Sequence, residues 1–327
     1  MKLKTLLLGA AASVALAPMA MAAGHEGPRG RDGEVKILYW QAPSILNPFL
    51  SGGTKDIEAS SLVLEPLARY NETGEMVPFL AVEVPTVANG GVSEDLTTIT
   101  WKIKEGLMWS DGTPVTSADV KFTAEYCMHP EGGCAQGAFF DGVETVEAVD
   151  DLTVKVTFNQ PKPNPYGPFV GGQSPIIQAA QFADCLGAKA PECTEANYNP
   201  IGTGPFTVAD FKPNDVIQYE ANENYREEGK PAFAKVTLKG GGDANSAGRA
   251  VLETGEFDYA WNLQLAPDVI AKMEAAGYGK AINGFGPLLE RIEMNLTNPS
   301  PDLPAETRST VAEPHPILSD VKVRKAL

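Results

Sequence analysis

Four cysteines and three histidines are the side chains of this sequence with the widest chemical reach, since thiolates and imidazoles can bind metals, attack carbonyls or, for thiols, close disulfides. The cysteines form two local pairs, Cys127 with Cys134 and Cys185 with Cys193. Their spacings exceed the gaps of about two to four residues usual at zinc sites, and the nearest imidazole, His129, lies inside the first loop. In an oxidising compartment both pairs read as disulfides, each stapling a short loop by about 2–3 kcal/mol. Neither a metal nor another cofactor is expected. His25 stands near the N-terminus and His315 between Pro314 and Pro316. The G-x-S-x-G elbow and the H-E-x-x-H zinc motif are missing, so the usual nucleophile and metal arrangements are unsupported. The 42 Asp and Glu residues leave a carboxylate pair of the glycosidase kind open as the chemistry of a rival reading. The chain is therefore expected not to be an enzyme, with an exported hydrolase as the rival reading.

The elements carrying these residues alternate between strand and helix. Val35–Trp40 reads as a strand, closed by Asn47-Pro48 and Ser51-Gly52-Gly53. Glu58–Leu67 fits a short helix with Leu62, Leu64 and Leu67 as apolar points. Thr98–Lys104 alternates cleanly, placing Ile99, Trp101 and Ile103 on one face, and Thr153–Phe158 does the same with Val154, Val156 and Phe158. Thr116 and Asp119 form a capping-box variant ahead of Val120, Phe122 and Ala124, so a helix starts there. Pro161, Pro163, Pro165 and Pro168 enforce an extended segment. Ala234–Leu238 and Ile292–Asn295 read as strands, Ser246–Thr254 as a helix stopped by Gly255, and Pro267–Ala276 as a helix stopped by Gly277. The expected fold class is mixed α/β.

Lys2 and Lys4 precede an apolar run from Leu6 to Ala17, and Ala20-Met21-Ala22 offers small residues for cleavage. Residues 1–22 therefore read as a signal peptide, whose apolar run is too short to span a bilayer as a helix, since that needs roughly 20 apolar residues. No cysteine stands near the cleavage point to carry a lipid, so the expected location is the periplasm. The net charge is −16, and loss of Lys2 and Lys4 takes it to −18. Nucleic acid is excluded as a partner, because phosphate binding needs clustered Lys and Arg.

Trp109-Ser110-Asp111-Gly112-Thr113-Pro114 with Thr116 and Asp119 resembles the WSDG signature of the dipeptide/oligopeptide/nickel-type solute-binding proteins of ABC transporters. Gly202-Thr203-Gly204-Pro205-Phe206 followed by Asn222–Tyr225 is similar to that family's GTGPF and NPNY runs. Gly255–Asp258 resembles its G-E-x-D strand, Glu65-Pro66-Leu67 its early helix, and Asp320–Leu327 its D-x-x-V-R-x-A-L helix start. These landmarks follow the family order. Most also read as structure: Asp111-Gly112 as a turn, Trp109 as core packing, and Gly202–Pro205 as a tight bend.

The resemblance implies a periplasmic-binding-protein type II-like two-lobed clamp with an inserted subdomain. On it, residues 23–33 are a flexible N-terminus, 34–70 and 200–290 the first lobe, 71–199 the inserted subdomain, and 291–327 the start of a second lobe. The helix opening near Asp320 ends on Ala326 and Leu327, so the second lobe is expected to be largely missing and the chain an N-terminal fragment. The family contacts its solute from the loop after its first strand and from the strand end after G-E-x-D. Those positions are Tyr39, Trp40, Gln41, Ser51, Gly52 and Gly53, with Trp261, Asn262 and Gln264. Aromatic faces beside amides suit a peptide main chain; the plainer reading of Trp40 and Trp261 is core packing. The implied function is capture of peptides or similar small solutes by a monomer that delivers them to an inner-membrane ABC permease. A periplasmic peptide-binding chaperone or scaffold is the other alternative.

Overall fold

The computed structural model describes residues 27–39, 41–240, 242–284 and 292–327. The signal-peptide span 1–22 and Trp40 lie outside the described residues. The strands are β1 (Glu34–Tyr39), β2 (Ala68–Tyr70), β3 (Met76–Pro78), β4 (Thr98–Lys102), β5 (Val143–Asp150), β6 (Thr153–Phe158), β7 (Phe206–Lys212), β8 (Val216–Ala221), β9 (Lys235–Gly240) and β10 (Tyr259–Trp261). The α-helices are α1 (Thr54–Ser60), α2 (Ser117–Met128), α3 (Ala179–Phe182), α4 (Thr194–Tyr198), α5 (Ala244–Gly248), α6 (Pro267–Glu274) and α7 (Val321–Ala326). Two units are separable, residues up to Lys280 and Ala281–Leu327.

Within the first unit, β10-β1-β9-β8-β7 make a five-stranded sheet. β1 is parallel to both β9 and β10, whereas β7, β8 and β9 run antiparallel. Tyr39, Leu46, Ala59, Val63, Phe206, Ile217, Tyr219, Val236 and Leu238 pack one core against it. A second core lies around the antiparallel sheet β4-β6-β5. There the period-two pattern is obeyed: Ile99, Trp101, Val154, Val156 and Phe158 are all buried, with Ile99 facing Val156 and Trp101 facing Val154. Burial of each such side chain contributes about 1.5–3 kcal/mol. α2 starts at the expected capping box, Thr116 and Asp119 bonding each other's backbone amides.

The turn between these elements explains the Trp109–Thr113 signature physically. Gly112 has φ +85°, a left-handed conformation that glycine adopts at no steric cost. Asp111 accepts from the Thr113 amide at 2.9 Å, and Trp109 is buried in the core.

Two expected elements differ. The first helix is α1 at Thr54–Ser60, not Glu58–Leu67. Ser60 and Ser61 hydroxyls donate back to the Ile57 carbonyl at 2.8 Å, a local bond that competes with helix propagation. Past Ser61 the carbonyls of Leu62 and Val63 accept from Phe206 and Gly204 amides, so the buried Leu64 and Leu67 sit on irregular chain. In the second unit, Ile292–Asn295 is not a strand. The Asn295 side chain accepts from the Thr297 amide and hydroxyl, a turn that stops extension, and Ile292 is exposed. Among the described residues from Ala281 onward none is buried. Asp320 caps α7 by accepting from the Lys322 amide at 2.8 Å.

Candidate ligand-binding surface

Parallel strands place their carboxyl ends side by side, where the chain leaves the sheet and exposes backbone and side chains to ligand. β1 and β10 end together, with Tyr39 in register with Trp261. Their rings stack with centroids 5.3 Å apart at 29°. Tyr39 is buried and Trp261 half-buried, so the indole presents the accessible part of the pair. The Tyr39 hydroxyl donates to the Glu58 carboxylate on α1. Burial, then that hydrogen bond and the Glu58 charge, push the phenol far above its usual range and keep it protonated.

Beyond the stack, Gln41, Asn262 and Gln264 are exposed, and Asn262 holds a left-handed φ of +57° that turns the chain away from β10. Gly52 is exposed, and a Cβ there would meet nothing within 4 Å. Gly53 is the N-terminal cap residue of α1. The Ser51 hydroxyl accepts from the Gly53 amide at 3.1 Å and donates to Asp56 at 2.6 Å, so it shapes the loop. The structure thus joins Tyr39 to Trp261, and ties Tyr39 through Glu58 to the helix that follows Ser51, Gly52 and Gly53. Trp40, which the resemblance counts among the solute contacts, lies outside the described residues. For Trp261 the stack combines packing with partial exposure.

Sequence reasoning missed Asp56, the centre of this loop. Its buried carboxylate accepts from the Ser44 amide at 2.7 Å, the Ser51 hydroxyl and the Lys55 ammonium at 2.8 Å. Burial alone would raise its pKa, but the bonds from Lys55, Ser51 and Ser44, with the Lys55 charge, outweigh it and hold the group below the usual carboxylate range. Asp56 therefore contributes stability that is present above the unfolded value near 3.9 and is lost as pH falls through the lower folded value. Asp56→Asn is expected to lower stability by about 1.5–3 kcal/mol at pH 7. In urea denaturation the gap between the two proteins should close progressively below about pH 4; a gap independent of pH would contradict this role.

The Cys127–Cys134 and Cys185–Cys193 pairs are both bridged. Among the described residues no group of His, Cys, Asp and Glu is placed to hold a metal ion, and no helix is long and apolar enough to cross a membrane.

Comparison with known proteins gives a consistent set of likenesses. Residues 75–327 match the sequence model of "Bacterial extracellular solute-binding proteins, family 5 Middle". The glutathione-binding protein GsiB of Pectobacterium atrosepticum is 28% identical over 214 residues, 65% of this chain and 40% of that protein. The ABC transporter substrate-binding protein CtaP of Listeria monocytogenes superposes with a TM-score of 0.64 at 29% identity, covering 78% of this chain and 48% of that one. The binding protein AgaA of A. tumefaciens R10, solved with agropinic acid, gives 0.60 at 27%, covering 69% and 43%. The chain spans less than half the length of each of these relatives.

Proposed function

This chain belongs to the bacterial extracellular solute-binding proteins of family 5, and from that premise we propose that it is part of the periplasmic solute-binding component of an ABC transporter. Its mixed α/β fold is that of the type II periplasmic binding proteins. The protein captures a peptide or a similar small solute and delivers it to a permease in the inner membrane, acting as an exported, non-catalytic monomer. The observation that carries this reading is the Tyr39–Trp261 stack at the joined ends of β1 and β10. An accessible indole offers apolar contact, while Gln41, Asn262 and Gln264 offer donors and acceptors to a main chain. One relative is named for glutathione and another is solved with agropinic acid, both small polar solutes. Residues 34–70 and 200–290 are assigned to the first lobe, 71–199 to the inserted subdomain and 291–327 to the start of the second.

Incubating the complete gene product with a peptide pool and analysing the protein-bound and free fractions by mass spectrometry tests this reading. Retained, intact peptides are expected. Cleavage products accumulating with time would establish a hydrolase instead, and a pool left wholly free would remove peptides from the solute class.

A further inference from the structure

The loop from Leu46 to Ser51, between β1 and α1, is held mostly by residues that follow the two disulfide-closed loops. Ala135 and Gln136 come directly after Cys134. The Ala135 amide donates to the Phe49 carbonyl at 2.8 Å, and Gln136 Nε2 donates to the carbonyls of Pro48 and Ser51, each at 3.1 Å. Asn197, on α4, begins four residues after Cys193. Its amide donates to the Cys193 carbonyl and its Nδ2 to the Ala190 carbonyl inside the second loop, at 2.9 and 2.8 Å. Its carbonyl accepts from the Leu46 amide at 2.9 Å, and its Oδ1 from Asn47 Nδ2 at 2.8 Å. Asn47 also donates to the Tyr126 hydroxyl at 3.0 Å, one residue before Cys127. Asn47, Tyr126, Gln136 and Asn197 are all buried, so these bonds operate away from competing water. The two loops also touch: a Cβ on Gly187 would stand 2.6 Å from Cε1 of His129.

We propose that Gln136, Asn197 and Asn47 are positioning residues for solute capture, and that the two disulfides serve to hold them, fixing loop 46–53 at the end of β1. This rests on the reading above that Ser51, Gly52 and Gly53 face the solute. The physical case is one of arrangement. A loop of this kind has no regular ladder of its own, so its backbone groups take partners from whatever is rigid nearby. Here the partners stand one to four residues from a bridged cysteine. A bridge that closes only seven or eight positions constrains those neighbours directly, whereas β1 and β9 are held by a ladder of their own.

Amide hydrogen exchange on the complete protein tests the proposal with deuterium as the probe. In Cys127→Ser/Cys134→Ser, and separately in Gln136→Ala, exchange over residues 46–53 is expected to rise about tenfold or more while β1 and β9 keep their protection. Retention of the peptide pool should fall about tenfold in parallel. Gln136→Ala leaves both bridges intact, so it decides the matter should the cysteine variant not fold. Unchanged exchange over 46–53 in a folded variant would overturn the proposal, as would faster exchange with undiminished peptide retention. Failure of the unmodified protein to retain any peptide would instead count against the proposed function, and is recognised because it precedes any substitution.

Discussion

Gly202→Ala is expected to destabilise the protein by about 4 kcal/mol or more, among the largest effects any single methyl group can have. A Cβ at Gly202 would stand 1.9 Å from the Val63 carbonyl oxygen, and one at Gly204 2.6 Å from the Leu62 and Val63 carbonyls. The obstacle is backbone, which cannot swing aside as a side chain would. The neighbours are fixed as well: the Gly204 amide donates to the Val63 carbonyl at 2.8 Å, and the Gly202 carbonyl accepts from the Ser110 amide at 2.9 Å. Asn222 Nδ2 holds the Gly204 carbonyl at 2.8 Å, and Thr203 donates to the buried Glu65, which also pairs with Arg226. Relief of the clash would therefore break several buried bonds at once. Urea denaturation followed by tryptophan emission measures the effect. Gly52→Ala, where a methyl meets open space, is the control and should stay within about 0.5 kcal/mol of the unmodified protein. A Gly202→Ala protein of near-normal stability would show that this crossing can relax.

Local rules made part of this architecture legible in the sequence. The capping box at Thr116 and Asp119, the turn at Asp111-Gly112 and the inward faces of β4 and β6 each depend on residues within a few positions of one another, and each stands in the structure. The start of α1 was hidden because Leu62, Leu64 and Leu67 are apolar for a different reason: they pack irregular chain that hydrogen-bonds to the Gly204–Phe206 segment. No periodicity reports a partner some 140 positions away. The same holds for the site. The resemblance places Tyr39 and Trp261 each among the solute contacts without pairing them, and the strand register is what brings the two rings together. Asp56, Asn47, Gln136 and Asn197 escape notice because single polar residues, in loops or on helices as short as α1 and α4, carry no pattern. Asn47-Pro48 was the available signal, since Asn there accepts from the Phe49 amide and caps the 3-10 turn at Pro48–Leu50.

The second large effect concerns affinity. Trp261 presents an accessible indole backed by Tyr39, whose hydroxyl is pinned by Glu58, so the ring is ordered before a solute arrives and little freedom is lost on binding. Aromatic anchors of this kind contribute about 2–4 kcal/mol to binding when truncated. The measurement is calorimetric titration of the complete protein and its Trp261→Ala variant with a peptide recovered from the pool. Trp261→Ala is expected to weaken binding by about 30- to 1000-fold, whereas Trp261→Phe, which keeps an aromatic face on Tyr39, should stay within about fivefold. If Trp261→Ala remains folded and binds that peptide with unchanged affinity, the solute does not rest on the joined ends of β1 and β10, and the site lies elsewhere on the protein.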